Sequence, residues 1–432
     1  MTRPEEFRRV PRKDDRQVLG VCGNPLAHHD GRSPVRQRWF LHHSFGTIVN
    51  RLAERFSRVV YHGHVLPQQS TMKADCLLEA GNLTVQPWDT WYNTMRATRR
   101  PIRLLRHYWR LARACDAVFI RGTPPLIWTL HLMAALRGMR VVHWIAADSV
   151  KVVRAAPRGY GRGIERLGLV YAHLERGLLR VASRISRAYI VTSGLELAAV
   201  YPSRRTVGCE STSTTSLQDF KVREDTCTHD PVRVLFLGFV RAEKGIEYLI
   251  RALPRLETDR RVELALVGGW DQFPEERTRL TRIIDELGLT DRVHWEGYAR
   301  YGPELFLQID RADMLVLPSL SEGTPHVLIE CRSRSVPVVA TRVGGIPYCI
   351  TDGEDGLLVP PKDPAAIAAA ISRIIDDGDL RRSMIRKGRE RVSRLTVEWF
   401  CDLVYDLLTR PDKELLNEQT AAHGWPRSQD PG

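Results

Sequence analysis

The chain has 432 residues, 43% of them hydrophobic and 27% charged, which is typical of a soluble globular protein long enough for two large cores. Its charged first residues lack the apolar segment of a signal peptide, and the longest mostly apolar run, at 124–136, is too short to span a bilayer. Eight scattered cysteines without a C-x2-C pair indicate neither a zinc site nor a disulfide scaffold, which favours a reducing cytoplasm.

The net charge of +13 is distributed unevenly along the chain. Residues 1–225 contain 36 Lys and Arg against 18 Asp and Glu, which gives +18, whereas residues 226–432 contain 28 against 33, which gives −5. A basic half beside a slightly acidic half indicates that one half faces an anionic surface or substrate.

Strand and helix patterns alternate through the first half, which predicts a doubly wound α/β domain at 17–207 after a tail at 1–16. Apolar runs of strand length lie at 17–22, 58–61, 116–120, 140–145 and 188–192. Helical periodicity is clearest at 45–56 and in the long amphipathic segment that starts at Ile164.

Residues 96–115 predict a basic amphipathic helix without an acidic residue. Four arginines at helical spacing form one narrow stripe: Arg103, Arg106, Arg110 and Arg113. Such a helix, bordered by tryptophan and tyrosine, can lie on an anionic membrane, where each arginine contributes about 1 kcal/mol. The alternative is a surface helix whose apolar half is domain core, and both interpretations stay open.

A polar segment rich in Ser and Thr separates the halves, and we predict a linker at 208–230 and a second α/β domain at 231–396. Its predicted strands lie at 232–237, 262–267, 293–297, 314–317 and 336–341. A helix at 397–410, for which crossing back to the first domain is one option, precedes a tail at 411–432 that we expect to be disordered.

Asp377-Gly378-Asp379 has the form of a metal-binding Asp-x-Asp sequence. It follows one predicted helix and precedes another, however, which favours a helix stop at Gly378 and a cap at Asp379. The sequence therefore predicts no metal site here.

The segment 313–347 carries the most chemistry. Glu322 lies in the loop after the predicted strand at 314–317, at the edge where open α/β sheets bind ligands. Glu330 lies eight residues further, about two helical turns, and the loop backbone between them points N–H groups outward at a helix start. Two carboxylates and a phosphate cradle in this order would bind a sugar nucleotide. The alternative is that Glu322 only interacts with the helix dipole in the first turn and that Glu330 is a solvated helix residue.

The pattern S-x-x-E-G-x-P-x-x-x-x-E at 319–330, followed by P-V-V-A-T and Gly-Gly, resembles the E-x7-E element of retaining GT-B glycosyltransferases of family four. The resemblance covers roughly residues 232–392 and fades across 1–225. It implies the GT-B fold, an α/β architecture of two doubly wound Rossmann-like domains facing across a cleft. It also implies a nucleoside-diphosphate sugar as donor substrate, no cofactor, no metal, and retention of the anomeric configuration.

The resemblance assigns the diphosphate to the loop after the strand at 232–237. Lys244 and Gly245 match the family's Lys-Gly, whose lysine reaches the donor diphosphate. The family commonly has an arginine where this chain has Phe239, and Arg241, two residues later, is the substitute. A charge-assisted hydrogen bond to the diphosphate is worth roughly 1.5–3 kcal/mol.

The two glutamates take the sugar and the ribose in the same assignment. Glu322 is assigned to a hydroxyl of the donor sugar and Glu330 to the ribose. The other donor-binding candidates lie in loops of the second half: Gly238, Gly268, Tyr298, Gly323, Thr324, Pro325 and His326.

The resemblance gives fewer candidates for the acceptor side. The first loop approaches the donor phosphates in the family, which selects Gly23 and Gly31. Where the family often has a His-Asp pair, this chain has two alanines, and Asp148 and His143 are the nearest candidates for those roles. Asp148 is thus the acceptor-side catalytic candidate, and a core position is the alternative for His143.

We therefore expect a retaining, metal-independent glycosyltransferase that moves a sugar to a hydroxyl of a glycan or lipid-linked acceptor, in polysaccharide or glycolipid biosynthesis. We expect it in the cytoplasm, with the inner face of the membrane as an option, and without a nucleic-acid partner. Two alternatives stay open: a nucleotide-sugar epimerase or hydrolase on the same fold, and a non-catalytic glycosyltransferase-like binding subunit. The substitutions at Phe239, Ala146 and Ala147 motivate the second. The presence of Lys244 and both glutamates argues against it.

Overall fold

The computed structural model describes residues 14–23, 28–30, 38–41, 43–64, 76–88, 101–155, 162–209, 215–271 and 273–415. The predictions for Gly31, for residues 1–13 and for the end of the chain beyond 415 concern positions outside these ranges. The described residues fall into two compact units. Unit 1 contains those up to Cys209 and those from Phe400 onward, and unit 2 contains those between.

Unit 1 is built on a seven-stranded parallel sheet. The strands of unit 1, in chain order, are β1 (Asp14–Gly23), β2 (His28–Asp30), β3 (Arg38–Leu41), β4 (Phe56–His64), β5 (Cys76–Leu77), β6 (Leu83–Trp88), β7 (Ala117–Arg121), β8 (Arg140–Ile145), β9 (Tyr189–Ser193) and β10 (Thr206–Cys209). Three of them, β2, β3 and β5, form a small separate sheet. The large sheet has the order β10-β9-β8-β7-β1-β4-β6, and the small antiparallel sheet has the order β2-β3-β5. The doubly wound α/β prediction is confirmed for this unit.

Helices cover the sheet of unit 1. They are α1 (His43–Ala53), α2 (Pro101–Ala114), α3 (Ile127–Leu136), α4 (Ser149–Ala155), α5 (Arg162–Ile185) and α6 (Leu195–Val200). The apolar half of α2 is core, because Leu104, Tyr108, Leu111 and Ala112 are buried. The packed-helix interpretation thus accounts for these four side chains. The four arginines of its stripe are exposed, together with Ile102 and Trp109.

Unit 2 has a second parallel sheet, of six strands. Its strands are β11 (Val232–Leu237), β12 (Val262–Val267), β13 (Val293–Gly297), β14 (Met314–Leu317), β15 (Val338–Thr341) and β16 (Leu357–Val359), in the sheet order β13-β12-β11-β14-β15-β16. The central strands are buried on both faces, which explains why they consist of continuous apolar runs rather than alternating residues. The sequence predicted five of these strands to within two residues.

The helices of unit 2 are α7 (Ile246–Ala252), α8 (Pro274–Glu286), α9 (Pro303–Asp310), α10 (Val327–Ser333), α11 (Ile346–Cys349), α12 (Pro364–Asp376) and α13 (Gly378–Val392). Proline occupies the first position of three of them, where no peptide N–H is needed. The last helix, α14 (Val397–Thr409), begins in unit 2 and continues into unit 1.

The prediction that Asp379 caps α13 is wrong, because the cap lies two residues earlier. Gly378 is the first residue of the helix, and the side chain of Asp377 accepts a hydrogen bond from Leu380 N at 2.9 Å. Asp377 caps the helix because it lies just before the first turn and its carboxylate reaches one of the free N–H groups there. In the described part of the chain, no group of three or more His, Cys, Asp or Glu side chains is arranged to hold a metal ion.

The segment predicted as a linker is largely ordered on unit 2. Residues 215–230 are held on it by hydrogen bonds to both backbone and side chains: Lys221 N donates to Ser333 O at 3.0 Å, and Cys227 N donates to the Asp313 carboxylate oxygen Oδ1 at 2.6 Å. Because hydrogen bonds rather than an apolar face fix this segment, hydrophobic periodicity does not detect it. None of the helices described is both long and apolar enough to cross a bilayer.

Candidate active site

Two loops of unit 2 meet where the strand order of its sheet reverses. The chain runs from β11 outward to β12 and β13, then returns to add β14 on the other side of β11. Open α/β sheets bind ligands at the carboxyl ends of the strands flanking such a point. Lys244 follows β11 and Glu322 follows β14, and Lys244 Nζ donates a hydrogen bond to Glu322 Oε1 at 2.6 Å. The fold thus joins these two predicted residues in one ion pair at the expected edge.

Ser319 holds the carboxylate of this pair in place. Its hydroxyl donates to Glu322 Oε1 at 2.8 Å, and Ser319 is fully buried. The side chains of Lys244 and Glu322 are only 16% and 10% exposed, so water screens their attraction weakly. Ser319 was not predicted as a site residue, although it is the serine of the S-x-x-E pattern and could have been found there.

The backbone keeps the two loops at a fixed distance. Leu320 N donates to Glu243 O at 2.8 Å, which ties the Glu322 loop to the Lys244 loop. Gly245 has a left-handed φ of 64°, and a Cβ atom there would lie 2.2 Å from Pro318 O. Only glycine allows both that conformation and that approach, so the Lys-Gly pair is explained by packing as well as by charge.

A second glycine loop, after β15, supports the Glu322 loop from the other side. Gly344 has a φ of 54°, and a Cβ atom there would lie 1.8 Å from Glu322 O. Gly345 N donates to Gly323 O at 3.0 Å. The Gly-Gly sequence therefore fixes the backbone that carries Glu322.

The loop between Glu322 and α10 presents peptide groups to solvent. Gly323 is exposed, and within the described ranges neither Gly323 nor Thr324 donates its peptide N–H to a protein acceptor. Pro325 is buried and His326 is exposed directly before α10. Unused N–H groups beside the Lys244 cation are suited to an anionic ligand.

Glu330 lies in the first turn of α10 and is 8% exposed. Burial raises the pKa of its carboxyl group to about 7. Among the residues described, no side chain or peptide N–H donates to that carboxylate. A buried carboxylate is costly without hydrogen-bond donors, so Glu330 is suited to the paired hydroxyls of a ligand.

Aromatic side chains surround the remaining donor-side candidates. The guanidinium of Arg241 pairs with Glu243 at 3.1 Å and lies 5.8 Å from the ring centre of Phe239. Phe239 and Tyr298 are 49% and 43% exposed, and both approach Gly269. Arg241 thus contacts Phe239 and Glu243 rather than Glu322. A Cβ atom at the candidate Gly268 would lie 1.8 Å from the carbonyl oxygen of the candidate Gly238.

Asp148, the acceptor-side catalytic candidate, has two structural partners. Its carboxylate accepts from Val150 N at 2.9 Å, at the start of α4, and lies 3.6 Å from the guanidinium of Arg176. Its proposed role in catalysis stays a prediction.

His143 lies inside β8, fully buried, in a chain of hydrogen bonds. Its Nε2 donates to Gly122 O at 2.5 Å and its Nδ1 lies 2.9 Å from Nε2 of His131. Burial lowers the pKa of His143 to about 4, so the ring is neutral, Nδ1 accepts, and His131 donates. These bonds describe a satisfied core histidine, and no contact supports an acceptor-side role. Gly23, the other acceptor-side candidate, ends β1 directly beside Arg121 of β7.

The sequence profile of the family described as glycosyl transferases group 1 matches residues 219–391, within unit 2. The chain is 31% identical over 163 residues to an uncharacterised glycosyltransferase of Methanocaldococcus jannaschii, which covers 38% of this chain and 40% of that protein. It is 28% identical over 298 residues to a D-inositol 3-phosphate glycosyltransferase of Thermobifida fusca, which covers 68% and 65%. An alpha-D-kanosaminyltransferase of Streptomyces kanamyceticus is 34% identical over 167 residues, which covers 38% and 42%.

The match therefore spans less than two thirds of each of these three relatives. Solved structures extend the likeness to the whole fold. Sucrose-phosphate synthase from Thermosynechococcus elongatus aligns with a TM-score of 0.61 at 20% identity, over 94% of this chain and 100% of that one. Anabaena HepE in complex with UDP aligns with a TM-score of 0.62 at 15% identity, over 91% and 100%. Residues 219–391 thus match the glycosyl transferases group 1 family, and the chain has the GT-B fold.

Proposed function

We propose that this protein transfers a sugar from a nucleoside-diphosphate sugar to a hydroxyl of a glycan or lipid-linked acceptor, in polysaccharide or glycolipid biosynthesis. The observation that carries this proposal is the Lys244–Glu322 ion pair at the switch point of unit 2. The pair lies in the part of the chain that matches the family, and its loop also carries unused peptide N–H groups. The complex of HepE with UDP makes a UDP-sugar the first donor to test.

Each site residue has a role that its surroundings permit. Lys244 would exchange part of its contact with Glu322 for the donor diphosphate, so its charge offsets the charge that grows on the leaving group. Glu322, held by Ser319, would accept a hydrogen bond from a hydroxyl of the donor sugar. Glu330 would accept hydrogen bonds from the ribose hydroxyls. Arg241 would add positive charge, and neither a metal nor a cofactor is part of this proposal.

The proposed reaction retains the configuration at the anomeric carbon. The bond from that carbon to the diphosphate oxygen breaks, and the acceptor oxygen forms its bond on the same face. The departing phosphate oxygen lies on that face and takes the acceptor proton. An epimerase or hydrolase on this fold would use no sugar acceptor and would instead need a base from the protein.

We also propose weak contact with an anionic membrane through α2. Its arginine stripe is exposed, and Ile102 and Trp109 beside it are 65% and 44% exposed. Because the rest of its apolar half is core, this contact would be mainly electrostatic.

The test is a panel of UDP-, GDP- and ADP-sugars, scored by thermal shift and by slow donor hydrolysis without acceptor. With the donor that binds, Glu322→Ala should lower turnover by about a hundredfold or more and change binding of the nucleoside diphosphate only a few-fold. Lys244→Ala should weaken that binding by at least about tenfold as well, since it removes a charge-assisted contact. Lys387→Ala is the control, because Lys387 also pairs with a glutamate, Glu354 at 3.2 Å, and neither residue belongs to the Lys244 or Glu322 loop.

Equal and small effects of Lys244→Ala and Lys387→Ala would contradict the site assignment. Binding without turnover, even after addition of membrane lipid extract, would favour the non-catalytic subunit instead.

A further inference from the structure

Unit 1 has its own switch point, and a charged residue lies at it. In its sheet β1 is flanked by β4 on one side and by β7 on the other, and the order reverses between β1 and β7. Gly23, the last residue of β1, is paired in register with Arg121, the last residue of β7. Open α/β sheets bind ligands at the carboxyl ends of the strands beside such a switch point. Arg121 therefore has the same topological position in unit 1 as the Lys244 and Glu322 loops have in unit 2. The roles proposed above leave Arg121 unused.

Aromatic rings enclose the Arg121 guanidinium on two sides. Its Cζ atom lies 5.0 Å from the ring centre of Phe45 on α1 and 4.7 Å from that of Trp144 on β8. Its Nε atom is buried and has no hydrogen-bond partner among the described residues. Cation–π contacts stabilise the charge but leave the guanidinium N–H groups without acceptors. A buried donor without an acceptor is destabilising, so the site is incomplete.

No described neighbour supplies the missing negative charge. Burial lowers the pKa of Arg121 to about 10, so the guanidinium is charged at neutral pH. Among the described residues, the phenol of Tyr61 would favour the charged guanidinium if it were ionised, but burial raises the pKa of Tyr61 far above its usual value, so that phenol is neutral. His62 is neutral as well, because burial lowers its pKa to about 4.

We infer that Arg121 binds an oxyanion, a phosphate or carboxylate, carried by the acceptor substrate. The statement that the oxyanion belongs to an acceptor rests on the proposed function, whereas the anion site itself rests only on observations in unit 1. The planar guanidinium presents parallel N–H donors that match two oxygens of a phosphate or carboxylate. Gly23, which is paired with Arg121 in the sheet, has no side chain. The excess of positive charge in the first half attracts such an acceptor.

A purely structural role for Arg121, as a cap on the aromatic cluster, is the competing explanation. That role needs the planar, charged guanidinium but no ligand. It predicts that added anions do not change the Nε–H resonance of Arg121. The two explanations therefore differ in what happens at the Nε–H group when an oxyanion is added.

The experiment is a titration of the whole protein with inorganic phosphate at constant ionic strength, followed through the ¹H–¹⁵N resonances of arginine Nε–H groups. The Arg121 resonance is the one absent from Arg121→Met, or from Arg121→Lys if the methionine variant does not fold. We expect this resonance to shift saturably, and a competing titration to give at least about tenfold weaker phosphate binding in Arg121→Met. Arg137→Met is the control, since Arg137 is exposed at the end of α3.

Saturating UDP, added first, occupies the phosphate site proposed in unit 2. If none of UDP, GDP and ADP binds while the Arg121 resonance still saturates, the proposed function fails and the anion site stands. If UDP binds while the Arg121 resonance moves no more than that of Arg137, the inference is overturned and the proposed function stands.

A vesicle experiment identifies the source of the oxyanion. Wild-type protein and Arg121→Met are sedimented with vesicles of phosphatidic acid in phosphatidylcholine and with vesicles of phosphatidylcholine alone. Loss of sedimentation in Arg121→Met with the anionic vesicles assigns the oxyanion to a lipid headgroup. Unchanged sedimentation together with a saturable phosphate titration assigns it to a soluble phosphorylated acceptor.

Discussion

At the scale of single residues, the site combines a charge that is paired with one that is not. Glu322 receives donors from Lys244 and Ser319, whereas Glu330 is buried without a donor in the described structure. The first arrangement fixes a side chain before the ligand arrives. The second leaves an acceptor whose desolvation cost is relieved only when hydroxyl groups bind to it.

Glu330 therefore makes stability depend on pH. Its pKa is about 7 in the folded protein against an ordinary glutamate value of 4.5, so between these pH values the unfolded chain releases the proton first. The contribution of Glu330 to stability is thus fully present below about pH 4.5 and is lost as the pH rises through 7, by about 3 kcal/mol. Glu330→Gln lacks this loss, so urea unfolding should show the variant gaining stability relative to wild type between about pH 5 and 8. A constant difference across that range would contradict the assigned pKa.

Nucleotide binding should follow the opposite trend at the same residue. If ribose hydroxyls donate to Glu330, they favour the charged carboxylate, so UDP binding should release a proton and strengthen as the pH rises. The ratio of UDP affinities, wild type over Glu330→Gln, should increase by about tenfold between pH 5.5 and 8 in calorimetric titrations. The ratio is the useful quantity, because the titration of the UDP phosphate affects wild type and Glu330→Gln equally and cancels. A flat ratio would separate Glu330 from the ribose.

At the scale of elements, the position of Glu322 depends on the glycine loop after β15. Gly344→Ala introduces a Cβ atom 1.8 Å from Glu322 O, at a φ of 54°, so the backbone of the Glu322 loop must move. We expect a loss of at least about tenfold in UDP affinity, in addition to about 1–2 kcal/mol of backbone strain. Gly353→Ala is the matched control: its φ is 77°, but no atom lies within 4 Å of the added Cβ.

Thermal unfolding and UDP titration of both variants separate the two effects. Both should be destabilised by the strain of a left-handed alanine, but only Gly344→Ala should lose UDP affinity. Equal UDP affinities in the two variants would show that the Gly344 contact does not position the donor site.

The sequence predicted elements well where burial sets a simple pattern. The strands of unit 2 were predicted almost completely because short continuous apolar runs are typical of strands that are buried on both faces of a parallel sheet. The small antiparallel sheet β2-β3-β5 was missed, since its strands of two to four residues have too few residues for a period. Asp377 was missed as a cap because the choice between adjacent acidic residues depends on backbone angles.

The candidate site was predictable in part for similar reasons. Glu322 and Lys244 lie in motifs with fixed spacing, so the sequence alone selected them, but their direct ion pair depends on a strand order that the sequence does not state. Arg121 was overlooked because one arginine among many in a basic half carries no signal. Its position at the end of an apolar strand, before Gly-Thr-Pro-Pro, is the feature that could have selected it.

At the scale of the whole molecule, the positive charge is concentrated in the half of the chain that forms unit 1. Exposed apolar side chains accompany it. Besides Ile102 and Trp109 on α2, α5 exposes a row of apolar residues along one face, Leu167, Val170, Leu174, Val181 and Ile185. Basic surface together with exposed apolar side chains is the combination that binds anionic bilayers, whereas charge alone would serve only to attract an acidic substrate.

The arginine stripe of α2 provides the test of membrane contact. Replacement of Arg103, Arg106, Arg110 and Arg113 by Gln removes four charges that should each contribute about 1 kcal/mol at an anionic surface, so partitioning onto phosphatidylserine vesicles should fall by at least about a hundredfold. A control with the same loss of net charge replaces four exposed arginines that are scattered over unit 1, namely Arg137, Arg154, Arg187 and Arg204. Sedimentation at low and physiological salt should show a loss of tenfold or less for the control, because only a continuous stripe brings its charges to the surface together. Equal losses in the two variants would mean that net charge, rather than α2, holds the protein at the membrane.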